Sequence, residues 1–163
     1  MGALLALLVL AGCGGSTSSQ ASTTDATAAS DGEGTGSEAT LTKQEWVDKA
    51  NEICDPLIDK KSRGMEAFYK AHGVHGTPNL RQREAVNTAV VLPNVQERVE
   101  GLEALPVPPG QAAKIRAILK SMERGIHEAE AHPGNLAIPK QPIPFAESEH
   151  LAGAYGLLFC GMP

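Results

Sequence analysis

A stretch of 25 residues near the N-terminus limits where this chain can build a core. Residues 16–40 are mainly Ser, Thr, Gly, Ala and acidic residues, and they contain no Leu, Ile, Val or aromatic side chain. Such a stretch cannot bury enough apolar surface to offset the entropy lost on ordering. We therefore predict a disordered tether over residues 13–40, with an r.m.s. reach of roughly 25–30 Å, and a folded domain over residues 41–163.

The first twelve residues have the pattern of an export signal. The apolar run from Ala3 to Ala11 has the length of a signal-peptide core and is too short to span a bilayer. The residues that follow, Leu10-Ala11-Gly12-Cys13, resemble the lipobox of bacterial lipoproteins. The resemblance implies a signal peptide over residues 1–12, acylation of the Cys13 thiol, and a lipid-anchored protein on the extracytoplasmic face of the cell membrane. Two or three acyl chains on one residue suffice for stable attachment.

The folded part reads as an all-α domain. Thr42 and Glu45 are spaced as a capping box, which predicts a helix start at that point. Apolar residues then recur every three or four positions through four segments, with Pro56 expected to kink or split the first and Pro93 to bend the second. No segment alternates apolar and polar residues as a strand would. We predict a four-helix up-down bundle, with segments Thr42–Ala71, Leu80–Leu105, Gln111–Ala131 and Phe145–Phe159.

Two cysteines remain in the folded part, Cys54 in the first helical segment and Cys160 near the end of the last. An even pair in an exported domain predicts a disulfide. A reactive or metal-binding thiol is the alternative, but no Cys-x-x-Cys is present. The run Ala50-Asn51-Glu52-Ile53-Cys54, together with Cys160-Gly161, resembles small helical disulfide-containing lipoproteins of high-GC Gram-positive bacteria. That resemblance implies location and architecture, and it assigns no activity.

Composition and motifs argue against several functions. The chain of 163 residues has a formal net charge of −5, whereas nucleic-acid binders normally carry a basic surface. Motifs for a nucleophilic serine, a zinc protease or a nucleotide-binding loop are absent from the sequence. We interpret Glu97, Glu100 and Glu103 as a solvated helix face with Arg98 beside it. We therefore expect no enzyme, no cofactor and no nucleic-acid partner.

Three functional hypotheses remain. The leading one is a non-catalytic membrane lipoprotein that contacts another envelope protein. The second is a small-ligand or lipid binder that uses aromatic residues of the bundle core: Trp46, Phe68, Tyr69, Phe145 and Tyr155. The third is a metal-responsive domain in which His72 and His75 bind Zn²⁺ or Cu²⁺. Because zinc sites need three or four protein ligands, we expect the two histidines to be solvated loop residues instead.

Overall fold

The computed structural model describes residues 40–138 and 143–163. Within these ranges the regular structure is helical, and no strand is present. The predicted signal peptide, Cys13 and almost all of the predicted tether lie outside the described residues. The all-helical class predicted from the sequence is confirmed for the described part of the chain.

The first helix, α1, spans Lys43–Ala71. Its start is the predicted capping box: the Thr42 hydroxyl accepts a hydrogen bond from the Glu45 N–H at 3.2 Å, and the Thr42 N–H donates to the Glu45 carboxylate at 2.8 Å. Trp46 is buried and Leu41 packs against the core beside it, as a hydrophobic staple requires. Local sequence and core packing therefore agree on where α1 begins.

Helix α1 runs through Pro56 as one element, so the predicted split does not occur. Pro56 is solvent-exposed, and Glu52, whose carbonyl would have paired with the missing N–H, is exposed as well. Water can satisfy that carbonyl, which lowers the penalty of an interior proline. Cys54 and Leu57, on either side of the proline, remain buried.

The predicted second helix contains a change of hydrogen-bonding pattern. Helix α2 spans Leu80–Val86, a π-helical segment spans Asn87–Val91, and α3 spans Leu92–Glu103. The Leu92 N–H donates to the carbonyl of Asn87, five residues back. Because Pro93 has no N–H to continue an α-helical ladder, the wider turn falls immediately before it.

The C-terminal half contains three helices: α4 at Ala112–Ala131, α5 at Gly134–Ala137 and α6 at Ala146–Tyr155. The predicted last helix continued to Phe159, but α6 ends at Tyr155 because Gly156 has a φ of 108°, a left-handed conformation that favours glycine. Residues 156–163 are therefore an irregular strip of chain, which we name the C-terminal segment.

One hydrophobic core connects the longer helices. Helix α3 packs against α1 and α4, and α4 also packs against α6. The predicted apolar stripe of α4 is largely confirmed, since Ile115, Met122, Ile126 and Ala129 are buried. Leu157 and Cys160 of the C-terminal segment belong to the same core.

Candidate functional site

The C-terminal segment is joined covalently to the first helix. Cys54 of α1 and Cys160 form the predicted disulfide, with their Cα atoms 5.3 Å apart and a sequence separation of 106. Both cysteines are fully buried. The bridge therefore attaches the end of the described chain to α1 from inside the core, although Cys160 lies beyond the last helix instead of within it.

Asn51, one helical turn before Cys54, holds the same segment from α1. Its amide nitrogen donates to the Gly156 carbonyl at 3.3 Å, and its amide oxygen accepts from the Leu158 N–H at 3.1 Å. An amide offers both a donor and an acceptor at this position, whereas an ionised aspartate can only accept. No sequence pattern assigns this residue a role, since its partners are main-chain atoms more than 100 residues away.

Arg98 of α3 supports the segment from a second direction. Its guanidinium donates to the carbonyl of Phe159 at 3.0 Å and to that of Met162, and it also donates to the Asn94 side chain at 2.7 Å. Only 1% of Arg98 is exposed, and burial lowers the pKa of the guanidinium. Within the described residues, none of the salt bridges includes it. Our interpretation of Arg98 as a surface residue is therefore wrong.

The carboxylates beside Arg98 do lie on the surface, as predicted. Glu97, Glu100 and Glu103 are exposed, and Glu97 forms an ion pair with Lys60 of α1. Successive residues of a helix point in directions about 100° apart, so Arg98 faces the core while Glu97 faces solvent. Sequence proximity to three glutamates concealed its actual partners, which are backbone carbonyls.

The rest of the segment is held by α6 and by a lysine of α1. The Ser148 hydroxyl lies 2.8 Å from the carbonyl of Gly161. A Cβ atom at position 161 would lie 2.5 Å from the Ser148 carbonyl oxygen, so the close approach requires glycine. Lys61 donates to the Pro163 carbonyl, and its pKa is lowered by burial first and by the charge of Arg98 second.

Although its backbone is fixed, the segment presents apolar side chains to solvent. Leu158 is 68% exposed, Phe159 36% and Met162 37%. We name these three side chains the apolar tip. Phe159 borders a shallow depression with three acidic residues of α1: Asp48, Glu52 and Asp55. The result is an exposed apolar group with carboxylates along one side.

The five aromatic residues predicted to form a ligand site do not come together. Trp46, Phe145 and Tyr155 are buried in the core, and the rings of Trp46 and Tyr155 meet edge to face at 5.7 Å. Phe68 and Tyr69 lie near the opposite end of α1, half-buried, with their rings 6.1 Å apart. The set therefore divides into core residues and a separate pair.

The two loop histidines have different surroundings. His72 stacks on Phe68 at 4.0 Å between ring centroids, and its Nδ1 lies 2.7 Å from the Phe68 carbonyl oxygen. His75 is exposed. Among the residues that the structure describes, no group of three or more His, Cys, Asp or Glu side chains could hold a metal ion.

Comparisons with known proteins give no relative from which a function could be inferred. No protein-family model matches the chain, and no curated protein or solved structure matches it significantly. Among the described helices, none is both long and apolar enough to cross a membrane.

Proposed function

We propose that the protein is an extracytoplasmic lipoprotein, anchored through Cys13, whose non-catalytic helical domain contacts an envelope protein through the apolar tip. The observation that carries the proposal is an exposed apolar group on a fixed backbone. Leu158, Phe159 and Met162 are exposed while a disulfide, Asn51 and Arg98 hold their main chain. A main chain that is already ordered loses little conformational entropy on binding, which favours affinity.

The chemistry of this surface indicates the kind of partner. Apolar side chains at the centre of an interface, bordered by charged groups, are the usual arrangement in protein–protein contacts. Here the border is acidic, because Asp48, Glu52 and Asp55 lie beside Phe159. A partner with an apolar pocket and basic residues near it would complement this surface, and the opposite charges would raise the association rate.

We further propose that the helices form an up-down four-helix bundle, in which α2, the π-helical segment and α3 together count as one helix. Support comes from the packing of α3 against α1 and α4 and of α4 against α6. The connections, residues 72–79 and 104–111, are short enough to favour antiparallel neighbours. Chemical cross-linking between exposed positions on successive helices tests the alternating direction.

The anchor is tested with the wild-type chain and with Cys13→Ser in cells supplied with an alkyne-labelled fatty acid. We expect the wild-type protein to carry label and stay with the membrane fraction, and Cys13→Ser to lose both properties. An unlabelled wild-type protein would overturn the anchored part of the proposal.

The contact surface is tested by photo-cross-linking in intact cells. A photoreactive residue at position 158 should give a discrete cross-linked product, whereas the same residue at position 80 should not, although Leu80 is also exposed. Asp55→Lys should weaken the product at position 158. Glu66→Lys is the matched control, because Glu66 is exposed on α1 but does not border Phe159. Equal products at positions 158 and 80 would contradict the proposal.

A further inference from the structure

A second surface feature lies away from the C-terminal segment. An open cleft of about 350 Å³ forms where the start of α1 meets α4 and α6. Apolar side chains line most of it, including the buried Ile118 and the half-buried Leu151. Two alanines, Ala117 on α4 and Ala154 on α6, also line the cleft, and their short side chains leave room between the helices.

Two ammonium groups border this apolar cleft. Lys43 and Lys114 both line it, and neither forms a salt bridge among the residues that the structure describes. Lys43 is the first residue of α1, where the helix dipole disfavours a positive charge. Its Nζ lies instead 4.8 Å from the centroid of the Tyr155 ring, in a cation–π contact. Two positive charges beside apolar surface suit an anion that carries a hydrocarbon chain.

Tyr155 adds a polar group without a partner. The residue lines the cleft and is only 5% exposed, and its hydroxyl has no hydrogen-bond partner within the described part of the chain. Burial raises the pKa of Tyr155, so the hydroxyl stays protonated and can donate. A buried donor without an acceptor costs free energy, and this one lies in a residue that lines the cleft.

We propose that this cleft binds a single-chain fatty acid, with the carboxylate between Lys43 and Lys114 and the hydrocarbon chain along Ala117, Leu151 and Ala154. The cleft lies near the lower end of the roughly 300–1,000 Å³ typical of ligand pockets, which favours one short chain over a two-chain lipid. This site is separate from the apolar tip, so either proposal can fail without the other.

The probe is decanoate below its micelle-forming concentration, added to the full chain carrying Cys13→Ser so that no attached acyl chain competes. The chain contains one tryptophan, and Trp46 touches Tyr155, so its emission reports on the cleft. We expect a saturable change in Trp46 emission, confirmed by calorimetry. Decyltrimethylammonium, which has the same chain length and the opposite charge, should give no saturable change.

Two variants test the charge and the shape of the site. Lys114→Glu should weaken decanoate binding at least tenfold, whereas Lys120→Glu, the same charge change at an exposed position of α4 outside the cleft, should not. Ala154→Leu should block the cleft, and Ala67→Leu on α1 is its control because both alanines are exposed. Thermal melts establish that each variant is folded.

Three results would overturn the proposal. The first is the absence of saturable decanoate binding by both fluorescence and calorimetry. The second is equal binding of decanoate and decyltrimethylammonium, which would indicate unspecific apolar adsorption. The third is equal affinity in the folded Lys114→Glu and Lys120→Glu variants, which would place the ligand elsewhere.

Discussion

The side chain of Asn51 accepts a hydrogen bond from the main-chain N–H of Leu158 at 3.1 Å, across 107 positions of sequence. The same amide donates to the Gly156 carbonyl, so a single residue of α1 holds the chain on both sides of Leu157. Leu157 is itself buried in the core. This contact fixes the exit of the chain from α6 and sets the direction in which Leu158 points.

Asn51→Asp should therefore destabilise the protein. The carboxylate still accepts from Leu158 but cannot donate to Gly156, whose carbonyl would face a negative charge. The loss of one partly buried hydrogen bond predicts a decrease of about 1–2 kcal/mol in the free energy of unfolding. Urea denaturation measures this decrease in the free energy of unfolding. Asn135→Asp is the control, since Asn135 forms no side-chain hydrogen bond within the described residues. Equal urea midpoints for the two variants would contradict the role of Asn51 in holding the C-terminal segment.

Arg98→Met should be more damaging. It removes the donor from the carbonyls of Phe159 and Met162 and from the Asn94 side chain, while filling much of the same volume. Leaving these acceptors buried predicts a loss of about 2–4 kcal/mol. Arg98→Lys should not restore stability, because one ammonium cannot reproduce the planar fork of donors. If Arg98→Lys were as stable as wild type, the positive charge alone, and not the guanidinium geometry, would account for the stabilisation.

Removal of the disulfide should lower stability while leaving the helices in place. In the loop-entropy model, a bridge that closes about 100 residues contributes up to about 4–5 kcal/mol. The paired variant Cys54→Ala/Cys160→Ala should melt at a lower temperature than wild type, with faster amide hydrogen exchange at residues 156–162. Cys13→Ala provides the matched cysteine removal outside the bridge. An unchanged melt in the paired variant would mean that the bridge does not stabilise the fold.

Acidification should weaken the start of α1. The pKa of Glu45 lies below its usual value of 4.5, chiefly because the Thr42 N–H donates to its carboxylate and also because the Thr42 hydroxyl does so. A carboxyl whose pKa is depressed on folding adds stability above the unfolded-state pKa and loses it as the pH falls through the folded-state value. Glu45→Gln should therefore show a smaller loss of stability on acidification than wild type.

Denaturant midpoints measured from about pH 7 down to about pH 3, the range in which carboxyl groups titrate, test this prediction. Glu66→Gln removes an exposed carboxyl from the same helix outside the cap and serves as the control. The capping interpretation fails if the two variants show the same acid dependence.

Local signals predicted the helix starts correctly, and the even pair of cysteines predicted the disulfide. The Thr42–Glu45 cap depends on residues three positions apart, and the apolar stripe of α4 depends on periodicity, so both can be recognised in a sequence. The role of Arg98 could not be recognised in the sequence, because its partners are the main-chain carbonyls of Phe159 and Met162. Every residue has such a carbonyl, so nothing in the sequence marks these two. The pattern around Glu97 favoured a surface interpretation that the tertiary contacts overrode.

The cleft and the end of α6 illustrate the same limit. Tyr155 was a predicted ligand residue, but its neighbours there, Lys43 and Lys114, come from the starts of two other helices and carry no signal that links them. The helix was predicted to continue through Gly156 because Leu158 follows Leu151 and Tyr155 at helical spacing. The left-handed Gly156 instead ends the helix, and Leu158 lies on the surface.

The bridge between Cys54 and Cys160 also determines how the domain would bear load. In the proposed anchored protein, the membrane attachment enters at the start of α1, and a partner bound to the apolar tip would pull next to Cys160. The shortest covalent path between the two points runs from Cys160 through the disulfide to Cys54 and along α1 to Lys43. Tension between partner and membrane would thus bypass α3 and α4, and the rest of the core would stay folded while the protein is pulled.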